Sequence, residues 1–400
     1  MRRTEPVSDW ATDFDVLDDG YVECPFPIWD ELRTTCPVAR TERRGPTWLP
    51  TRYADVAAIA HDPATFSSSD VGVVTVQEDQ AAEGELPYGL PPITSDPPLH
   101  TWTRRLLLPW FSHRRVGQYE PLTRDICAGL ITSFRDAGRA DAAADYAQQI
   151  PVRVIAHILG VPADMSDTFT GWVRDALEFA DDDERRIRGT HGIGNFLWEK
   201  LQERKAVPGD DLMSGLLAAR VDDAPVEDTI VLGMAMLVMI AGIDTTWSAI
   251  GASLLHLATN DADRERLVAQ PELMATAVEE LLRAYAPVTM ARIVTRDTEL
   301  GDATLREGDK VLLSFPAANR DPAAFDRADE VVLDREVNRH VAFGVGIHRC
   351  AGSNLARMEL RVALEEWLAA LPTFHVDADA AVSWAGGQVR GPRSIPVVFA

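Results

Sequence analysis

The sequence predicts a mainly helical chain with a minor β component (an α+β class), folded as one large domain over residues 1–400. Three observations carry that expectation. Long runs with helical periodicity fill residues 98–290, and short strand-like runs lie near both ends. No Ser/Gly-rich linker, low-complexity run or fixed-period repeat divides the chain. At 46% hydrophobic and 25% charged residues, the composition is that of an ordinary globular protein.

In chain order, Val38–Leu49 reads as a hairpin, and Thr51–Val56 leads from it into a helix. Residues 70–93 are rich in Gly, Pro and polar side chains and read as a long loop, a type of segment that is usually functional or disordered. A helical stretch is expected from Met165 to Ala180. The longest helical pattern runs from Val226 to about Asn260, with Glu227 and Asp228 in its first turn. Its first half is apolar nearly all round, so it should cross the protein centre. After Pro287, Arg292–Thr295, Val311–Phe315 and Ile395–Phe399 alternate with turns and read as short strands. Ser353–Leu371 carries apolar residues at helical spacing and is closed by Pro372, so it reads as an amphipathic helix.

Charge and composition exclude several classes. A net charge of −23 argues against nucleic acid as the main partner, because phosphate binding needs basic surface. Met1–Trp10 has no apolar core for a signal peptide. The longest apolar run, Ile230–Ile243, is shorter than the ~20 residues of a membrane span, so no membrane anchor is expected and a cytoplasmic location follows. Cys24, Cys36, Cys127 and Cys350 suggest no disulfide framework. Basic residues are almost all arginine, lysine occurring only at Lys200, Lys205 and Lys310, and alanine is abundant; this pattern points to a G+C-rich bacterial genome.

The most informative stretch is Phe343-Gly-Val-Gly-Ile-His-Arg-Cys350-Ala-Gly352. Gly344 and Gly346 allow backbone angles closed to other residues and let a flat group approach the main chain. Cys350 sits just ahead of a helix, where free N–H groups and the positive dipole end are expected to favour the thiolate. A zinc site on His348 and Cys350 lacks further ligands at suitable spacing, and the C-x-x-C-H of a c-type haem is absent. A thiolate beside a glycine-opened face suits a metal in a planar macrocycle. The segment resembles the haem-binding loop of the cytochrome P-450 family, F-G-x-G-x-H-x-C-x-G, matched at Phe343, Gly344, Gly346, His348, Cys350 and Gly352. The resemblance implies haem b with Cys350 as the axial metal ligand.

A second constellation, Ala241-Gly242-Ile243-Asp244-Thr245-Thr246, puts poor helix formers in the middle of the long helix. Threonine there can bond back to an earlier carbonyl. The stretch resembles the family's central-helix motif, A/G-G-x-D/E-T. By that resemblance Ala241 and Gly242 border the haem, Thr245 steadies the reactive oxygen group, and Asp244 supplies protons for O–O cleavage.

Further positions fit the same family. Glu280 and Arg283 stand at i, i+3 and resemble its structural E-x-x-R pair. His100, Arg104, Arg292 and His348 fit the partners of the two haem propionates. Arg104, Arg105, Arg114, Arg115, Arg349, Arg357 and Arg361 fall in segments that flank the cysteine side, a basic patch expected to receive an acidic ferredoxin. With 50 residues after Cys350, no fused reductase is expected.

The resemblance points to four substrate-facing segments: residues 70–93, 165–180, 288–291 and 391–393. Candidate lining residues are Val73, Val74, Phe169, Trp172, Met239, Ile240, Val288, Met290 and Pro392. Trp247 either narrows this cavity or packs in the core, and Arg393 either anchors a substrate carboxylate or, the favoured reading, lies on the surface. The implied function is a soluble bacterial haem-thiolate monooxygenase. It would insert one oxygen atom from O₂ into a hydrophobic small molecule, with electrons from NAD(P)H through ferredoxin reductase and ferredoxin. The alternatives are a peroxide-driven or redox-neutral enzyme and a haem gas sensor or carrier; neither needs the Asp244–Thr245 pair.

Overall fold

The computed structural model describes residues 5–74, 87–179 and 182–399. The chain is mainly helical with small sheets, and the helices enclose one long central helix, Asp228–Thr259. The central helix begins two residues later than the sequence pattern suggests. Glu227 occupies the cap position in extended conformation without a side-chain capping bond. Every residue from Ile230 to Met239 is buried, as an apolar surface on all sides requires.

Around it lie the helices Gln149–Leu159, Ser166–Leu177 and Asp183–Ala206, with Ser353–Ala370 (the cysteine helix) on the other side. The cysteine helix packs along His113–Phe134. Arg124 there pairs with Glu365 and Glu366 at 2.7 Å each, and Arg361 reaches Glu120 at 2.7 Å. The Tyr146 hydroxyl donates to Ala363 O at 2.8 Å in the same buried seam.

The largest sheet has five strands in the order Val38–Thr41, Thr47–Pro50, Lys310–Ser314, Thr289–Val294, Phe66–Ser67. The first two form the expected hairpin, Val38 opposite Pro50, followed by the helix Tyr53–His61. The two later strands pair antiparallel, Val311 opposite Arg292. Of the expected loop, residues 75–86 lie outside the described residues, as does Ala180 at the end of the expected helical stretch.

Residues 319–350, between the last strand and the cysteine helix, contain almost no regular structure, so their backbone groups need other partners. Glu280 and Arg283 supply them. Both are fully buried rather than a surface pair, and they bind each other at 2.8 Å. Arg283 Nη1 donates to the carbonyls of Asn319 at 2.9 Å and Ala328 at 2.8 Å. Glu280 accepts from Val332 N at 2.8 Å, Arg335 Nε at 2.9 Å and Asn338 Nδ2 at 3.0 Å. The adjacent Glu279 receives Arg357 of the cysteine helix at 2.6 Å and His340 at 3.0 Å. Burial raises the Glu279 carboxyl, but Arg357 and His340 outweigh it and bring it down to about 2.

Glu280→Ala leaves the Arg283 charge buried and uncompensated, and urea unfolding should record a loss of about 3–5 kcal/mol. Glu279 has a depressed pKa, so its contribution to stability is complete above the ordinary carboxylate pKa of 4.5 and fades as pH falls toward 2. Urea unfolding followed by circular dichroism across pH should therefore show Glu279→Gln less stable than the wild type at neutral pH, with the gap closing as pH falls from 4.5 toward 2; a gap that does not depend on pH would remove Glu279 from the acid response.

Candidate active site

The segment 343–352 forms a turn closed by Cys350 N donating to Phe343 O at 2.8 Å. Gly344 and Gly346 have φ of +64° and +72°, which side-chain-bearing residues rarely adopt. Their missing side chains, however, make room for the protein itself. A Cβ on Gly346 would lie 2.1 Å from Ala60 O, and one on Gly344 would lie 3.3 Å from the Phe315 ring.

Cys350 is exposed and borders a cavity of 460 Å³ lined by Arg104, Phe111, Asn354 and Arg357 among others. The surrounding protein pushes its thiol up, while the Gly352 N–H and the charges of Arg104, Arg349 and Arg357 pull the other way. The helix begins only at Ser353, and Gly352 is the backbone donor that reaches the sulfur. A metal ion would displace the thiol proton directly.

The four expected anion partners converge. His100 and Arg104 stand one turn apart on the helix Leu99–Leu107. His100 Nε2 lies 3.1 Å from Ile347 O, and its ring centroid is 4.3 Å from that of His348. Arg104 Nη2 donates to Arg349 O. Burial, then Arg292, His100 and Arg104, bring His348 down to about 3, so its ring is neutral and 2.9 Å from Ser68 Oγ. Burial also brings Arg292 down to about 10. Among the described residues no carboxylate lies within ion-pair distance of His100, Arg104, Arg292 or His348. Arg292 is buried and Arg104 half-buried, with Asp96 acting on Arg292 only from beyond ion-pair distance, so their charges are incompletely compensated, which is costly. Two carboxylates of one dianionic group would relieve it, so these residues fit the propionate edge of a haem.

On the central helix, only Ile240, Ala241, Gly242 and Thr245 keep partial exposure between Ile230 and Leu254. Thr245 Oγ1 donates to Ala241 O at 2.8 Å, the back-bond expected, and the helix stays continuous. Gly242 also has a packing role: a Cβ there would lie 2.4 Å from Ile155 Cδ1. Asp244 is not on the open face. Arg393 Nη2 reaches its Oδ1 at 2.8 Å, Ser248 Oγ donates at 3.3 Å, and Oδ2 is buried without a partner. Burial, with Glu178 adding to it and Arg393 opposing, pushes the Asp244 carboxyl up to about 6.

Arg393 is therefore not a surface residue: its side chain is 7% exposed, held between Asp244 and Glu178 and stacked 4.3 Å from the Trp247 ring. Trp247 is a core residue, its Nε1 pointing to Pro392 O at 3.4 Å. Phe169 packs against Trp172 and Phe196, and Met239 is fully buried. A cavity of 750 Å³ is lined instead by residues from 87–99, the central helix at Leu232 and Met236, and the helix Asp183–Ala206. That last helix lies within the expected helical region but outside the expected substrate-facing segments, although Ile187, His191, Gly194 and Trp198 mark one face of it at helical spacing.

Comparison with known proteins bears on this geometry. The chain is 36% identical over 395 residues to a vitamin D(3) 25-hydroxylase of Pseudonocardia autotrophica, covering 96% of each protein. It is 35% identical to a mycinamicin IV hydroxylase/epoxidase of Micromonospora griseorubida, over 93% of this chain and 94% of that one. The chain belongs to the cytochrome P450 family. The family's own sequence pattern, described as Cytochrome P450, matches residues 190–378. The structure of the P450 CYP109Q5 from Chondromyces apiculatus superposes with a TM-score of 0.88 at 31% identity, covering 98% of this chain and 99% of that one. This P450 is accordingly a monooxygenase of the bacterial type, and family membership implies haem.

The Gly242–Ile155 contact makes a direct prediction for this P450. Gly242→Ala should destabilise it by about 1–3 kcal/mol in thermal or urea unfolding. Adding Ile155→Val, which removes Cδ1, should recover part of that loss, so the two changes are non-additive.

Proposed function

We propose that this P450 binds haem b through Cys350, with Asp244 and Thr245 managing protons on the opposite side. The observation that carries this reading is the cluster of His100, Arg104, Arg292 and His348, which makes no ion pair with a carboxylate among the described residues, beside the turn that bears an open cysteine sulfur. The haem, when bound, supplies the redox chemistry that activates O₂ and transfers one oxygen atom to substrate. Arg292 and Arg104 are charged partners for its carboxylates, and His100 and His348 are neutral ones. Ala241 and Gly242 on the central helix, and Phe343 with the turn that Gly344, Gly346 and Gly352 shape, would hold it between them.

Thr245 commits its hydroxyl proton to Ala241 O, so its oxygen is left as an acceptor on the open face. It can hold a water or a protonated group there. Asp244, with a carboxyl near 6, can take and release a proton close to neutral pH. Its enclosure means that the proton must pass through a side-chain movement or a water, which fits a controlled relay better than open solvent access.

The substrate is a hydrophobic small molecule. Two relatives are described as acting on vitamin D(3) and mycinamicin IV, and a 750 Å³ cavity with Leu90, Leu99, Leu232 and Met236 in its wall suits a large apolar skeleton. The mostly buried central helix supports a soluble cytoplasmic enzyme. The acidic ferredoxin, fed by a ferredoxin reductase, would dock on the cysteine side. Arg357, Arg361 and Arg115 are engaged by Glu279, Glu120 and Asp210, which leaves Arg105, Arg114 and Arg349 as the exposed arginines without an ion pair there among the described residues.

The deciding experiment is the carbon monoxide difference spectrum of the reduced protein. The red-shifted Soret band of a thiolate-bound haem is expected in the wild type and absent in Cys350→Ser; a histidine-type spectrum in the wild type would overturn the reading. Thr245→Ala should uncouple the cycle, so that NADH is consumed and peroxide released with little product. Charge reversal at Arg105 and Arg114 should slow ferredoxin-driven turnover and leave peroxide-driven turnover unchanged; equal loss in both assays would remove the docking face.

A further inference from the structure

Arg393 is the only residue that makes an ion pair with Asp244 among the described residues, and it is shared. Its Nη2 lies 2.8 Å from Asp244 Oδ1, its Nε 2.5 Å from Glu178 Oε1, and its Nη1 donates to Ser248 Oγ at 3.0 Å. The carboxylates are almost sealed, 2% exposed at Asp244 and 5% at Glu178. Glu178 follows the helix Ser166–Leu177, and its other oxygen takes Arg174 Nε at 3.1 Å; Arg174 is 42% exposed. A ladder of alternating charge thus runs from the central helix to solvent: Asp244, Arg393, Glu178, Arg174. The strand Gly391–Ser394 is pressed onto the central helix so closely that a Cβ on Gly391 would sit 2.3 Å from Ser248, which fixes where the guanidinium can be.

We propose that Glu178 is a positioning residue for Asp244, acting through Arg393: it engages the guanidinium from the far side, so that Asp244 holds only a share of the positive charge and keeps its affinity for a proton. The inference rests on the reading of Asp244 as the proton-delivering acid. The groups that face Asp244 are Arg393 from the tail strand, Glu178 and Arg174 from the helix Ser166–Leu177, and Ser248 on its own helix. Of these, Glu178 acts to raise the Asp244 carboxyl, while Arg393, Ser248 and Arg174 act to lower it, beneath the larger effect of burial. Without the Glu178 charge, Arg393 belongs wholly to Asp244 and the carboxyl should ionise more easily. The helix Ser166–Leu177 thereby gains a lever on proton delivery: a displacement that withdraws Glu178 would make Asp244 a stronger acid and leave it ionised.

The test uses the haem-loaded enzyme and its Glu178→Gln variant. Infrared difference spectroscopy follows the protonated carboxyl band of Asp244, identified by its loss in Asp244→Asn. In Glu178→Gln its midpoint should fall by about one pH unit, the size a neighbouring unit charge commonly gives. The basic limb of product formed per NADH should move the same way, and Glu178→Asp should restore both. An unchanged Asp244 midpoint in Glu178→Gln, with or without a lower melting temperature, would overturn the proposal and leave Glu178 a structural latch. Failure of the underlying reading looks different: Asp244→Asn would then leave coupling and its pH profile as in the wild type, while the infrared shift in Glu178→Gln could still be present.

Discussion

The buried ion pair of Glu280 and Arg283 is the constraint on which the rest of the structure depends. Residues 319–350 lead to the cysteine turn with little regular hydrogen bonding of their own, and such a segment could not stay ordered inside a protein unaided. The pair substitutes for a sheet. Arg283 takes three carbonyls, and Glu280 takes one backbone N–H and two side chains, all from this stretch. A lone buried pair is often neutral for stability. Here, though, nearly every donor and acceptor is used, and the gain is a defined path for some thirty residues. Glu279 extends the node to Arg357, so the turn carrying Cys350 and the helix behind it are fixed by the same short segment of one helix.

The site makes the opposite arrangement with charge. Around Glu280 every ion has a partner; around His348, among the described residues, neither Arg104 nor Arg292 makes an ion pair with a carboxylate. Arg292 is buried and Arg104 half-buried, and Asp96 acts on Arg292 only from beyond ion-pair distance. In a protein of net charge −23 that arrangement is informative. On the proposed reading, the cost would be offset by an anionic cofactor edge.

Much of this was legible in the sequence where a local pattern had a physical meaning. The all-round apolar run did become the buried central helix, the amphipathic run behind Cys350 did become a helix, and the strand-like pieces near residues 292 and 311 pair with one another. The cysteine turn and the acid–alcohol pair could be singled out because their residues are adjacent in the chain. What escaped depends on distant contacts. Arg393 lies 149 residues from Asp244, and nothing in the tail distinguishes it from a solvated arginine. Ser68 beside His348 and Ile155 against Gly242 are of the same kind. At Cys350 the helix end is visible in sequence, whereas the residues around the cavity that act on its thiol are not. The basic patch shrank because the acids that occupy Arg357 and Arg361 come from other helices.

The environment of Asp244 explains why an acid can persist in the middle of an apolar helix. Ionised and unpaired, it would be too costly to bury; fully paired with its own arginine, it would be held as a carboxylate and could not exchange a proton near neutral pH. Sharing Arg393 with Glu178 sits between these limits, and the unpartnered Oδ2 is where the compromise shows. Stability alone would favour a leucine here, or a second arginine. The residues present instead keep one buried carboxyl balanced between its two protonation states, next to a threonine whose hydroxyl faces the open side of the same helix. On the proposed reading, such a carboxyl is what a step that moves protons would need, and its cost within an apolar helix is the argument from energetics for that reading.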